Sequence, residues 1–180
     1  MITQIDGAPC YGSKHWRVLV LAALCAGCTS SMATSRLGTA VVTASNGVPC
    51  FSIPADGETG HGLPLRGIVV SDLPTGDWKK LPAELWHFTA ASPASRPRLH
   101  PTACVRYGEA PAGSVQRTFK PLEPYRVYHV MVNARNDDSG MIGYVAKFCV
   151  KPDGPNKSIV HAISADERGG DKRYAVCARS

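Results

Sequence analysis

From residue 39 onward, the chain alternates between short apolar runs and clusters of turn-forming residues. The runs are rich in Val, Ile, Tyr and Phe, and Gly, Pro, Asp and Asn separate them, which is typical of β-strands joined by tight turns. The predicted strands are Thr39–Ser45, Val48–Pro54, Leu65–Ser71, Glu84–Ala90, Ala103–Tyr107, Tyr125–Ala134, Met141–Lys151, Ser158–Ser164 and Arg173–Ala178. No long window has helical periodicity, and the 14 prolines oppose long helices. The pattern therefore predicts an all-β domain over 39–180, an antiparallel two-sheet sandwich of the immunoglobulin-like type.

Local signals add detail to this sandwich. The dipeptide Asn46-Gly47 predicts a two-residue hairpin, because a type I′ turn needs positive φ at both central residues. Both alternating faces of the run Tyr125–Ala134 carry apolar residues, which predicts a central strand. The polar, Pro-containing stretch Ala91–His100 predicts an exposed loop.

The pattern before residue 39 is different. A short basic region at Lys14–Arg17 precedes the apolar run Val18–Ala26, and small residues follow. This is the layout of a secretory signal peptide. The apolar run is too short to span a bilayer, which requires about 20 residues.

The end of this leader predicts a lipid anchor. The tripeptide Ala26-Gly27-Cys28 resembles a bacterial lipobox, although Cys25 stands where that motif prefers leucine. We expect a signal peptide over 1–27, lipidation of Cys28 and a flexible tether over 28–38. Residue 29 is Thr rather than the Asp that favours inner-membrane retention, so we expect an outer-membrane anchor with the domain facing the periplasm. The alternative is an ordinary cleaved signal peptide and a soluble secreted protein.

Four cysteines remain in the predicted domain: Cys50, Cys104, Cys149 and Cys177. An even number of cysteines in an exported domain favours disulfides. Four cysteines allow three pairings, and of these we favour Cys50 with Cys104 and Cys149 with Cys177. A four-cysteine zinc site is the alternative, but it usually needs close Cys-x-x-Cys pairs, which this domain lacks.

The charge is mildly basic, with a formal net charge of +6 that removal of the leader lowers by one. No run of five or six like charges occurs, so a nucleic-acid partner is not predicted. The charge favours an acidic partner or an anionic surface.

The search for catalytic chemistry finds no arrangement with a defined spacing. The six histidines include no pair at metal-ligand spacing, and we expect His129 and His161 to be ordinary sheet residues. There is no Gly-x-Ser-x-Gly elbow, and the acidic pairs Asp137-Asp138 and Asp166-Glu167 lie beside predicted turns. We therefore predict no enzyme activity, no metal and no cofactor.

A few aromatic and basic residues in predicted loops are candidates for partner binding. Trp78, Arg96 and Arg98 are the candidate anchors, since Trp and Arg are enriched at the centres of protein interfaces. We expect Lys79 and Lys80 to steer association. The alternative for Trp78 is that it closes one end of the sandwich core. Trp86, by contrast, lies in a strand-like run and is predicted to be core.

Four short motifs carry a resemblance to a known family: Val48-Pro-Cys-Phe-Ser-Ile-Pro54, Ala103-Cys-Val-Arg-Tyr-Gly108, Leu122-Glu-Pro-Tyr-Arg-Val-Tyr128 and Tyr144-Val-Ala-Lys-Phe-Cys149. In this order behind a lipoprotein leader, they resemble the periplasmic immunity lipoproteins of type VI secretion systems. The resemblance covers roughly residues 40–150. It implies a protein that binds and neutralises a secreted antibacterial toxin by occluding the toxin's active site. The alternative function is a structural or assembly lipoprotein of the envelope, such as a secretion or pilus accessory.

Overall fold

A computed structural model describes residues 36–56, 59–73, 81–135, 141–155, 157–163 and 170–178. The chain divides into a unit at 1–34 and a unit at 35–180, and all of the described residues belong to the second. The leader, Cys28 and Trp78 lie outside the described residues.

The described residues form eleven strands, which build two sheets. In chain order they are β1 (Arg36–Thr39), β2 (Val41–Ser45), β3 (Val48–Ser52), β4 (Leu63–Asp72), β5 (Glu84–Ala90), β6 (Arg98–Leu99), β7 (Val105–Arg106), β8 (Ser114–Phe119), β9 (Val127–Ala134), β10 (Met141–Pro152) and β11 (Ser158–Ile163). The large sheet has the order β1-β10-β9-β4-β5-β8, with β11 also paired to β10 and β6 to β4. The small sheet has the order β2-β3-β7. The predicted all-β two-sheet sandwich is thus confirmed.

Local turn chemistry sets the register of the small sheet. Asn46 has φ 53° and Gly47 has φ 76°, so both central residues of the β2–β3 hairpin have the positive φ that the sequence predicted. A Cβ at Gly47 would lie 3.1 Å from the carbonyl oxygen of Ser158. The hairpin tip therefore packs against the start of β11, and both the turn and this close approach favour glycine.

Aromatic side chains join the two sheets. Phe51 of the small sheet stacks on Trp86 at a centroid distance of 6.1 Å and contacts Phe148 at 5.4 Å. All three side chains are fully buried. The indole Nε1 of Trp86 donates a hydrogen bond to Gln116 Oε1 at 3.1 Å, which satisfies the polar atom of this core residue. The prediction that Trp86 is core is confirmed.

The structure corrects three sequence predictions. Residues 36–38, which we assigned to the tether, belong to β1 (Arg36–Thr39), and β1 pairs with β10 in parallel rather than antiparallel. The strand β8 was not predicted, because its sequence SVQRTF has no apolar alternation and all six of its side chains are polar or largely exposed. The segment predicted as a strand at Arg173–Ala178 instead belongs to a 3-10 helix, Gly170–Cys177. The disulfide from Cys177 holds the segment against β10.

Both favoured disulfides are present. Cys50 of β3 bonds Cys104, next to β7, and so crosslinks neighbouring strands of the small sheet. Cys149 of β10 bonds Cys177 of the 3-10 helix. The second bond fastens the C-terminal helix to the large sheet.

Candidate binding surface

The large sheet has a face turned away from the small sheet, which we call the outer face. In β9, Tyr128, Val130 and Val132 are buried in the core, so the alternating residues between them lie on the outer face. Met131 of β9 pairs with Val69 of β4 on one side and Val145 of β10 on the other. These three side chains are half-buried and form an apolar row across the centre of the outer face.

A hydrogen-bonded polar cluster continues this row on β5 and β8. His87 pairs with Val69, and Thr118 pairs with His87. His87 Nδ1 lies 3.1 Å from Glu84 Oε2, and Thr118 Oγ1 donates to Glu84 Oε1 at 2.8 Å. The Glu84 carboxylate is thus held by two neighbours, which fixes its position beside the apolar row.

A second polar group lies one row away, on β10, β9 and β4. His129 pairs with Lys147 on one side and Ser71 on the other. Burial, followed by the nearby Lys147 cation, lowers the pKa of His129 below its usual value of 6.5. The ring is therefore neutral at neutral pH. Lys147 Nζ donates to Tyr174 OH at 3.0 Å and lies 5.6 Å from the centre of that ring.

The C-terminal 3-10 helix covers one end of the outer face. Cys177 packs with Cys149, Val127 and Ile163 in a second small core, separate from the main one. Tyr174 packs against this cluster and contacts Lys147. The helix thus covers the outer face near the start of β9. It leaves the row of Val69, Met131 and Val145 partly exposed.

Arg96 and Arg98, two of the three predicted anchors, do not lie in the central row. Arg98 is exposed, and its guanidinium donates from Nε to the His61 carbonyl at 3.3 Å and from Nη2 to the Gly62 carbonyl at 2.7 Å. Arg96 is half-buried and ends the short 3-10 helix Pro93–Ser95. Trp78 lies outside the described residues, so the structure does not describe its position relative to Arg96 and Arg98. Their role as anchors stays a prediction.

Ion pairs lie at the end of the sheet where β5 and β9 begin. Arg126 bonds both Asp72 and Glu123, the latter at 3.0 Å, and these carboxylates raise the pKa of the guanidinium. No group of three or more His, Cys, Asp or Glu side chains is placed to hold a metal ion within the described parts of the chain.

Sequence reasoning predicted strands at the positions of β4, β5, β9 and β10 but did not predict how these strands pair across the outer face. The alternation in Tyr125–Ala134 placed His129 and Met131 on one face of their strand, as the structure has them. Their neighbours Val69, His87 and Val145 come from three other strands, so only the sheet register joins them.

The comparisons with family models, with curated proteins and with solved structures found no match to this chain. In the described segments, no helix is long and apolar enough to cross a membrane.

Proposed function

We propose that this protein is an exported, lipid-anchored immunity protein that binds a secreted antibacterial toxin and neutralises it by occlusion. The leader with its lipobox at Cys28 supports export and anchoring to the outer membrane, with the domain facing the periplasm. The family resemblance of the four strand motifs supports the immunity role.

The two disulfides support an oxidising compartment. Disulfides persist in secreted and periplasmic proteins and are rare in the cytosol, where thiols are kept reduced. Cys50–Cys104 and Cys149–Cys177 both join residues distant in sequence, by 54 and 28 positions. They stiffen the domain, and a rigid binder loses less conformational entropy when it docks.

The observation that carries the binding role is the outer face. An apolar row lies between hydrogen-bonded polar groups, and its side chains are only half-buried. The row consists of Val69, Met131 and Val145. An apolar centre with a polar rim is the usual anatomy of a protein interface. We therefore assign the toxin to this face, with Met131 at its centre.

Co-expression in the bacterial periplasm tests this function. The product of the gene beside this one is exported with and without the full-length protein, and survival is counted. We expect killing without the protein and survival with it. A neighbouring product that is harmless, or one that kills despite this protein, would defeat the immunity role.

Two variants test the surface. Met131→Arg and Asn133→Arg each place a long cation on the outer face, and Asn133 is already exposed, so its replacement leaves the core intact. We expect both to lose protection. Ala44→Arg, at an exposed position of the small sheet, is the matched control and should protect as well as the parent. Protection that survives both outer-face changes would move the toxin to another surface.

A further inference from the structure

The strand β8 forms one edge of the large sheet. It pairs with β5 on one side, and among the described residues no strand pairs with its other side. Val115 is 52% exposed, and the side chains of Gln116, Arg117 and Phe119 are exposed as well. We call this open side of the strand the β8 edge.

Phe119 presents its backbone polar groups on the β8 edge. In an antiparallel sheet, pairs of residues that exchange backbone hydrogen bonds alternate with pairs that do not. The Lys120 amide donates to the Leu85 carbonyl at 2.8 Å, so these two residues form a hydrogen-bonded pair. The next pair, Phe119 and Trp86, is therefore of the other type. The N–H and carbonyl of Phe119 thus point away from β5.

Gln116 has the same orientation nearer the start of β8. The Ala91 amide donates to the Gly113 carbonyl at 2.9 Å. Three pairs further along the two strands, Gln116 lies opposite Phe88 in a pair of the non-hydrogen-bonded type. The β8 edge therefore presents backbone donors and acceptors at two positions, which are the groups that an added strand would bond.

The ring of Phe119 is supported on one side and open on the other. Its centroid lies 5.8 Å from that of Tyr107, where the last strand of each sheet meets the other. Gly108 has φ 85°, and a Cβ there would lie 2.7 Å from Phe119 Cε2, so the ring packs directly on this glycine. The Phe119 side chain is still 55% exposed. An apolar side chain of a partner would thus meet an aromatic surface that is already held in position.

The charges of β8 oppose pairing with a second copy of this chain. Segment 114–120 contains two cations, Arg117 and Lys120, and no acidic residue. Two copies joined through this edge would bring these cations together, and like charges on paired strands are destabilising. The register also shifts between His87 and Phe88, which adds a bulge at Arg117. Cations and bulges are common protections of an open edge against self-association.

A strand that carries carboxylates would be attracted instead. Within the described residues, neither Arg117 nor Lys120 has an ion-pair partner. Glu84 is held by its neighbours on the outer face, and Glu109 pairs with Arg106 at 2.6 Å. The two cations of β8 are therefore available to carboxylates of a partner, and they make the edge selective for an acidic segment.

We propose that the β8 edge binds an extended segment of a partner protein, which adds to the large sheet as a further strand. The segment carries carboxylates that pair with Arg117 and Lys120 and an apolar side chain that packs on Phe119. Main-chain hydrogen bonds supply affinity in this mode of binding, and side-chain contacts supply specificity. The strand β5 separates this site from the apolar row of the outer face. The inference does not rest on the proposed immunity function.

Selection from a random-peptide library tests the chemistry that the edge accepts. Protein from the full-length gene is one target, and Arg117→Glu/Lys120→Glu is the other. We expect the parent to enrich acidic and apolar peptides and the variant to enrich basic and apolar ones. The parent's peptides should bind the variant about tenfold more weakly, because two attractive charge pairs become repulsive. Arg36→Glu/Lys157→Glu reverses two exposed cations outside β8 and, as the matched control, should select the same peptides as the parent.

Amide hydrogen exchange distinguishes strand addition from contact through side chains alone. Bound peptide should slow exchange at Gln116 and Phe119, whose N–H groups point to the β8 edge. Exchange at Val115 and Thr118 should change little, because the same alternation directs their N–H groups to β5. At about 90% occupancy we expect about tenfold slower exchange at the first two amides, since they are then open in about one molecule in ten.

Four results would overturn the inference. The library could yield no enriched peptide, or the parent and Arg117→Glu/Lys120→Glu could enrich the same peptides. Enriched peptides that leave exchange at Gln116 and Phe119 unchanged would bind elsewhere. Exchange at these amides that slows with protein concentration alone would make a second copy the occupant. The toxin-protection assay is independent of all four results, so either proposal can fail without the other.

Discussion

Removal of the Cys50–Cys104 disulfide should lower the free energy of unfolding by about 4 kcal/mol. The bond closes a loop between residues 54 positions apart. In the chain-entropy model, crosslinking a loop of this length lowers the entropy of the unfolded chain by about 14 cal/mol/K, which is about 4 kcal/mol at 25 °C. Alanine is the right replacement at both positions, because Cys50 is fully buried and a serine hydroxyl there would add a desolvation cost.

The Cys149–Cys177 bond gives an internal comparison. Its loop spans 28 positions, so the same model predicts about 3.6 kcal/mol. The 3-10 helix that it fastens has a small core of its own, however, around Val127 and Ile163. We expect Cys149→Ala/Cys177→Ala to release this helix from the large sheet while the main core stays folded, because few buried contacts other than the disulfide hold it.

The assay is equilibrium unfolding in urea, followed by the fluorescence of the buried Trp86. The slope of free energy against denaturant reports the surface exposed on unfolding, so it should change little for Cys50→Ala/Cys104→Ala. Hydrogen exchange should show faster exchange confined to Gly170–Cys177 and the neighbouring strands for Cys149→Ala/Cys177→Ala.

A loss below about 1 kcal/mol for Cys50→Ala/Cys104→Ala would refute the entropic reasoning, since it falls outside the usual range for a native disulfide. Thiol counting on denatured, unreduced protein is the accompanying control. Reactive thiols at the four paired positions would show that the bonds are absent.

Three further predictions concern the outer face, the anchor and the candidate loops. Because the folded-state pKa of His129 lies below 6.5, the unfolded chain binds the proton first as pH falls, and stability decreases below pH 6.5; His129→Gln should flatten this dependence in urea midpoints measured from about pH 7.5 to about pH 5. Metabolic labelling with a palmitate analogue should mark the parent and not Cys28→Ala, and label that persists in the variant would exclude this lipidation site. Trp78→Ala and Arg96→Ala/Arg98→Ala test the anchors suggested by the sequence; a loss of protection with the fold intact would place the toxin on these loops, and unchanged protection would remove them from the interface.

Local chemistry made several elements predictable. The Asn46-Gly47 turn needs only two residues that tolerate positive φ, and both adopt it. The strand β5 has the bounds that its run of β-branched and aromatic residues predicted, Glu84–Ala90, and its Trp86 is core. The disulfide pairing favoured from the sequence also agrees with the structure.

Elements that depend on their neighbours were not predictable in this way. The strand β8 forms because β5 offers it a free edge, with Phe88 pairing to Gln116, and not because its own residues favour a strand. The segment Gly170–Cys177 contains Tyr174 and Val176, yet it forms a 3-10 helix, which the disulfide from Cys177 joins to β10.

The positions of the arginines and of the outer-face valines could not be predicted from the sequence. The sequence by itself determined that the domain is all-β, that its turns are local and that basic residues exceed acidic ones. In the sequence, Arg36, Arg66 and Arg96 span 60 positions, and Val69 lies 76 positions before Val145. Only the tertiary structure decided that the arginines share one end of a sheet and that the valines flank Met131. The physical reason is that hydrogen-bond register between strands distant in sequence sets these neighbours, and burial of the whole core, rather than any local pattern, selects that register.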